Sequence, residues 1–372
     1  MSGLKLRTSA FTSGSSAVVN DTQADHPVAE KAGIASLPPW LKLPLSQVYK
    51  RFNNGNLAHA LLVHGAPGTG KRLLVEALVA MLLCEDLPQS EESSGVAPQA
   101  CGTCNACRQL SSGNHTDYRL LNPPEDKNTI NVGDTRGFVS WALLTANSKT
   151  GIKVGVVESV EVMNRNAANS LLKTLEEPAA GTFIICIANW PGSLPATITS
   201  RCQFVAVPVS SGSETEQWLV DAGVSDVAMA LRLADGAAIR ALAEQTPDRQ
   251  EQLQRLQRSF CDIVAARAGI AVWVERLAKE SPTDCLEAYL SFTADIVRVN
   301  QGTCEFCKHL NFVDEWKSVA PLLSSEQWFT LFDRLQGLYR IDNASIKIQP
   351  VLETIFAVIW QQRSKQLESQ GA

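Results

Sequence analysis

Ala60-Leu61-Leu62-Val63-His64-Gly65-Ala66-Pro67-Gly68-Thr69-Gly70-Lys71-Arg72-Leu73-Leu74-Val75 carries the decision about the fold. A short apolar run (60–63) gives way to a glycine-rich turn, and the periodicity then switches to that of a helix over 71–83. The order strand, loop, helix is the setting a phosphate-binding loop requires, and Gly65 to Lys71 fits G-x-x-x-x-G-K. In such a loop the backbone N–H groups and the helix N-terminus face phosphate oxygens, and the lysine reaches the outer phosphates. Gly65, Gly70 and Lys71 are therefore the candidate residues for ATP. The next position should hold a Ser or Thr hydroxyl for Mg²⁺, and Arg72 stands there instead, offering no oxygen and a positive charge. The Mg²⁺ site is read as lost. Arg72 weakens the case for ATP and keeps open a second reading, a tight turn retained for packing.

Outward from the loop, the fold is expected to start near Pro38-Pro39-Trp40, with a helix from Leu45 to Phe52. Past the loop come a strand Tyr118–Leu121, a helix over about 134–146, a strand Ile152–Val157, a helix Arg165–Glu177 stopped by Pro178, and a strand Thr182–Ala188. This alternation implies an α/β domain with a parallel sheet covered on both faces. An active P-loop ATPase of this type ends the strand after the loop helix with Asp-Glu, for metal and water. Here the strand ends in Glu158-Ser159, and a serine supplies no carboxylate base. Beyond Pro208 the chain reads as helices, broken at Gly223, Gly236, Pro247, Gly269, Pro282, Gly302, Pro321 and Asn343, giving one small and one larger all-α domain. The expected boundaries are a disordered leader (1–37), an α/β domain (38–208), a small helical domain (209–246) and a larger one (247–372).

The chain has 372 residues, 45% hydrophobic and 19% charged, the composition of a globular protein of two or three domains. No apolar run approaches the roughly 18 residues that span a bilayer, and residues 1–35 lack the apolar core of a secretory signal. The expected setting is cytoplasmic, where the ten cysteines are thiols or metal ligands and not a disulfide framework. Of the net charge of −5, the acidic excess lies in residues 209–372, with 16 basic against 22 acidic side chains. Such a balance gives no electrostatic grip on DNA and points to proteins as the main partners. A zinc-dependent nucleic-acid module is disfavoured on the same ground.

Cys101-Gly-Thr-Cys104-Asn-Ala-Cys107 is C-x₂-C-x₂-C, and Cys84 closes the helix before it. Four thiolates at this spacing can surround one ion tetrahedrally, and a site filled by four thiolates is closed and structural. Zinc is the economical occupant. An iron–sulfur cluster and redox-active thiols are the other chemistries open to such a set, and His115 could compete as a ligand. The separate pair Cys304-x₂-Cys307 has no second pair near it in sequence. Cys186, Cys202, Cys261 and Cys285 read as small buried residues.

Four segments together resemble the bacterial clamp-loader subunits, the AAA+ proteins of the DNA polymerase III holoenzyme: His59-Ala60-Leu61-Leu62, the cysteine cluster, Asn164-Arg165-Asn166-Ala167-Ala168-Asn169-Ser170-Leu171-Leu172-Lys173-Thr174-Leu175-Glu176-Glu177-Pro178, and Thr199-Ser200-Arg201-Cys202. The likeness runs from about Trp40 to Val207, and beyond it only the helical character and the Leu231–Gly236 turn fit. Arg72 and the Glu158-Ser159 pair are unlike the ATP-hydrolysing gamma and tau subunits and fit a non-hydrolysing branch, as does the Pro39-Trp40 start. The resemblance implies an AAA+ P-loop domain with a zinc module at 84–107, a helical lid and a helical collar. It implies that Arg201, in its motif with Ser200 and Cys202, is a trans-acting arginine finger, and that Asn189 is the residue that senses nucleotide in relatives. Implied partners are the delta and gamma/tau subunits, and through the complex the sliding clamp and primed DNA, with no membrane and no polymerase chemistry in this chain. An independently active P-loop ATPase, of gamma/tau or helicase-loader type, is the alternative. The leucines at 171, 172 and 175 form a core-facing stripe, while Lys173, Glu176 and Glu177 are expected to be solvated.

Overall fold

The computed structural model describes residues 37–88, 97–123, 129–265, 267, 269–340 and 347–370, with side chains omitted at 340 and 360–370. The expected disordered leader and the break at Asn343 fall outside the described residues, apart from Leu37. The chain divides into two compact units, Met1–Glu244 and Gln245–Ala372.

The first unit is built on a five-stranded parallel sheet in the order β2-β3-β4-β1-β5. Its strands are β1 (Ala60–His64), β2 (Tyr118–Leu121), β3 (Lys153–Val157), β4 (Thr182–Ala188) and β5 (Gln203–Ala206). Around them run α1 (Pro39–Asn53), α2 (Lys71–Leu83), α3 (Asn105–Ser111), α4 (Val132–Ala142), α5 (Arg165–Glu176) and α6 (Ala196–Thr199). Side chains alternate across a strand, so β1 and β4 each feed two cores. Leu61, Val63, Ile185 and Ile187 pack with Leu41, Leu45, Leu74 and Leu78 of α1 and α2 on one face. Leu62, Ile184, Cys186 and Ala188 pack with Phe138, Leu171 and Leu175 of α4 and α5 on the other. Both faces are covered, as a parallel sheet demands.

Local chemistry sets the element ends. The Asn164 side chain accepts from the Ala167 N–H at 2.9 Å to start α5, and Pro178 keeps Glu177 out of the helical region (φ −139°, ψ 72°) to end it. Helix α4 stops at Ala142, four residues short of the expected end. There the buried Asp117 carboxylate takes the N–H groups of Asn147 and Ser148, which draws the chain off the helix axis toward β3. Helix α1 begins at Pro39, earlier than Leu45, because proline suits the first helical position. Strand β5 is an addition to the sequence reading. Of its four residues only Val205 is buried, so it has no apolar run to announce it.

Three further helices complete this unit: α7 (Ser213–Asp221), α8 (Val227–Leu233) and α9 (Ala238–Glu244). Their core is mostly alanine, with Leu219 and Leu242, and Trp40 joins it edge-to-face with Trp218 at 5.0 Å. The second unit holds α10 (Pro247–Val264), α11 (Ile270–Arg276), α12 (Pro282–Asn300), α13 (Val313–Val319), α14 (Ser325–Arg340) and α15 (Ile348–Gln370). Its core gathers Phe260, Tyr289, Phe292, Trp316 and Trp328. Buried Asp295 binds the Lys308 and His309 N–H groups and the His309 ring at 2.7–2.8 Å, pinning the turn that carries Cys304 and Cys307. Buried Cys307 donates weakly to the Asp295 carbonyl at 3.6 Å, and the pair joins no metal-type cluster among the described residues.

Gly155 shows how tightly the sheet is covered. A Cβ there would lie 2.5 Å from Cζ of Phe138, which is fully buried. Gly155→Ala should cost about 1–3 kcal/mol through overpacking, read as a lowered thermal midpoint.

Candidate functional site

The phosphate-type loop leaves β1 beside the crevice where neighbouring strands connect in opposite directions, the usual ligand position of an open parallel sheet. Gly68 (φ 72°) and Gly70 (φ 92°) supply the left-handed backbone that the tight loop needs. The loop is closed on itself. Lys71 is 1% exposed, and its Nζ donates to the Ala66 carbonyl at 2.8 Å, as does Thr69 Oγ1 at 2.9 Å. Neighbouring elements hold it from outside. The Trp40 indole donates to the Thr69 carbonyl at 2.9 Å, and the Gly68 carbonyl accepts from the N–H groups of Ile239 and Arg240 at 3.1 and 3.3 Å. A Cβ on Gly68 would lie 2.4 Å from the Arg240 Cβ, so α9 packs directly on the loop backbone.

Arg72, at the hydroxyl position, and Glu158, the acid at the end of β3, meet. The Arg72 guanidinium donates to the Glu158 carboxylate through Nη1 and to Glu76 through Nε at 3.2 Å. Burial pushes the Glu158 carboxyl up from its ordinary range, and the Arg72 charge and hydrogen bond pull it back. The acid at the end of β3 is thus engaged by the cation at the hydroxyl position. Half-buried Asn189 follows β4 with its Oδ1 unpartnered among the described residues.

Arg201 lies just past α6, at the turn into β5. Its Nη1 donates to the Thr197 carbonyl at 2.9 Å and to Ser200 Oγ at 3.2 Å, while Nε and Nη2 both donate to Oε1 of Glu176. Glu176 is solvated, as the sequence implies, and is also the arginine's partner. Cys202, the third residue of the motif, is buried, and its thiol interacts with that of Cys186.

The four predicted cysteines converge, every Sγ lying within 4.8 Å of the others. Cys84 caps the end of α2 and Cys104 the start of α3. Backbone N–H groups already aim at sulfur: Cys101 to Cys84 at 3.4 Å, Cys104 to Cys101 at 3.3 Å, and Cys107 to Cys104 at 3.4 Å. Burial raises the Cys84 and Cys107 thiols, whereas at Cys101 the N–H groups of Cys104 and Thr103 outweigh it and bring the thiol down to about 6. Sulfurs bound tetrahedrally at about 2.3 Å would stand about 3.8 Å apart, close to the arrangement present. The set fits a metal ion. His115 stays outside it, taking the Asp117 N–H on Nδ1 at 3.2 Å.

The parallel sheet, the phosphate-type loop held by its own Lys71 and by α9, and the four-cysteine cluster make the first unit a P-loop-type α/β domain with a metal-type module. The family described as "DNA polymerase III, delta subunit" matches residues 42–210. Among curated relatives, the DNA polymerase III subunit delta' of Pseudomonas aeruginosa is 39% identical over 53% of this chain and 57% of its own length, less than two thirds. The delta' subunit of Yersinia pestis is 32% identical over 72% of this chain and 78% of its own length, and that of Escherichia coli 34% over 64% and 69%. The chain belongs to the DNA polymerase III delta' subunit family.

The Arg72–Glu158 pair gives a test with a defined sign. Glu158 has its pKa raised in the fold, so its charged form costs stability once pH rises above the ordinary carboxylate range, and Arg72 offsets that cost. Arg72→Ala should therefore destabilise by about 3 kcal/mol near pH 8 and by clearly less near pH 5, where Glu158 can take a proton. Thermal melts at the two pH values measure this.

Proposed function

We propose that this chain is a non-hydrolysing arm of a clamp loader, which supplies Arg201 to ATP held by a neighbouring subunit and so helps place the sliding clamp on primed DNA. The observation that carries the reading is the Arg72–Glu158 ion pair: the chain's own loop has a fixed cation in place of a metal-binding hydroxyl, while a second arginine stays near the surface. Residues 209–246 serve as lid and 247–372 as collar, with delta and gamma/tau subunits as neighbours and the cytoplasm as setting. No described helix is long and apolar enough to cross a membrane.

In the proposed mechanism the Arg201 guanidinium stabilises the charge that develops on the phosphoryl group leaving the neighbour's ATP. A planar fork of donors suits that task better than a lysine. Ser200 and Thr197 orient the group through Nη1. Turnover by the isolated chain should stay at background, and Arg201→Ala should lower ATP turnover about tenfold or more at the site it serves in the reconstituted complex. Turnover by the chain alone would favour the independent ATPase, and an unchanged rate in the Arg201→Ala complex would remove the finger.

We also infer that Cys84, Cys101, Cys104 and Cys107 hold a structural zinc ion. The metal would supply folding energy to the insertion, with no position left for a reacting ligand. Purified protein should carry about one zinc per chain, and Cys104→Ser should release it and speed proteolysis within 85–115, with the sheet unaffected by circular dichroism. Iron, or no metal, would contradict the assignment.

A further inference from the structure

We propose that Glu176 is a positioning residue for Arg201, a place-holder whose carboxylate occupies the edge of the guanidinium that later takes a phosphate. The proposal rests on the reading of Arg201 as a finger in trans. A guanidinium has two usable edges, and here they are used differently. Nη1 is held by Thr197 and Ser200, both belonging to the turn that carries Arg201 itself. The Nε/Nη2 edge, the fork that matches a carboxylate or phosphate in a bidentate way, is given to one oxygen of Glu176 from another element. Exchange of one anion for another at that edge leaves the Nη1 anchors in place, so the side chain need not be re-ordered when a phosphate arrives.

The position of Glu176 supports this. It is the last residue of α5, where the helix macrodipole disfavours a negative charge, and Pro178 and the Asn164 cap already define the helix ends. Nothing in the folding of α5 calls for an acid there. The pair is also half in solvent, with the arginine side chain 32% and the glutamate side chain 45% exposed. At that exposure an ion pair is weak enough to be replaced by a phosphate of higher charge. Until it is replaced, the carboxylate repels the same anion.

The test compares ATP turnover in the reconstituted complex carrying wild-type chain, Glu176→Gln, Arg201→Ala and the double variant. Removing the competing charge should lower the half-saturating ATP concentration about two- to fivefold, the scale of an exposed ion pair, with kcat unchanged within about twofold. In the Arg201→Ala background the same substitution should change nothing, since the two act as one unit. If Arg201→Ala slows turnover while Glu176→Gln leaves half-saturation unchanged or raises it, the place-holder role is wrong and the finger stands. A Glu176→Gln effect that persists without Arg201 likewise overturns it. If Arg201→Ala has no effect, the finger itself fails and this proposal with it. Size-exclusion chromatography of each complex shows that assembly is retained.

Discussion

At the C-terminal edge of the sheet the part-buried Arg72 guanidinium meets the buried Glu158 carboxylate, and the phosphate-type loop sits beside that contact. Either charge alone at such burial would cost several kcal/mol, so Arg72 and Glu158 are acceptable only together. Their union ties the first turn of α2 to the end of β3. Lys71, beside this pair, turns back onto Ala66 of its own loop. The loop's outward carbonyls are then available as structural acceptors, Thr69 for Trp40 and Gly68 for α9. The loop in this way joins the sheet to the helices of 213–244. On the proposed reading, this gives a subunit whose shape does not wait on ATP.

The cysteine insertion obeys a different constraint. Among the described residues between α2 and β2 there is one short helix, and apart from Ala97, Leu87 and Leu110, which pack on the sheet's core, the buried cluster is Cys84, Cys104, Ala106 and Cys107, edged by Ala100 and Cys101. Sulfur atoms and two or three small side chains cannot offset the entropy of ordering so many residues. The N–H groups aimed at sulfur make sense as a cage for thiolates, which a cation must neutralise.

The sequence was most legible where periodicity or a punctuating residue was strong. The strand before the glycine loop, the helix 71–83, the Asn164 to Pro178 helix and the cysteine spacing all declare themselves through local chemistry. Strand β5 escaped because an edge strand with one buried residue has no pattern of its own, and its identity comes from pairing with β1. The end of α4 escaped because Asp117, some thirty residues away, decides it. The Arg72–Glu158 pair spans 86 residues, and its only trace in the sequence is that an arginine stands at the hydroxyl position while the strand end keeps one acid. The Glu176–Arg201 pair left none, since a glutamate near a helix end reads as solvated on any local rule.

These two ion pairs use the same chemistry to opposite ends, and burial separates them. The side chains of Arg72 and Glu158 are 12% and 8% exposed, and those of Arg201 and Glu176 are 32% and 45% exposed. In the first pair the low effective dielectric makes the attraction strong and the loss of either partner costly, so the contact is fixed for the life of the fold. In the second, water screens the attraction, the net contribution falls to about 0–1 kcal/mol, and the arginine is held in place without being committed. Releasing Glu158 from Arg72 would leave a charged carboxylate inside the protein, whereas an anion reaching Arg201 meets a partner that can return to water. Burial alone thus separates an ion pair held inside the first unit from one at its surface, and on the proposed reading it is the second arginine that can serve a neighbour's nucleotide.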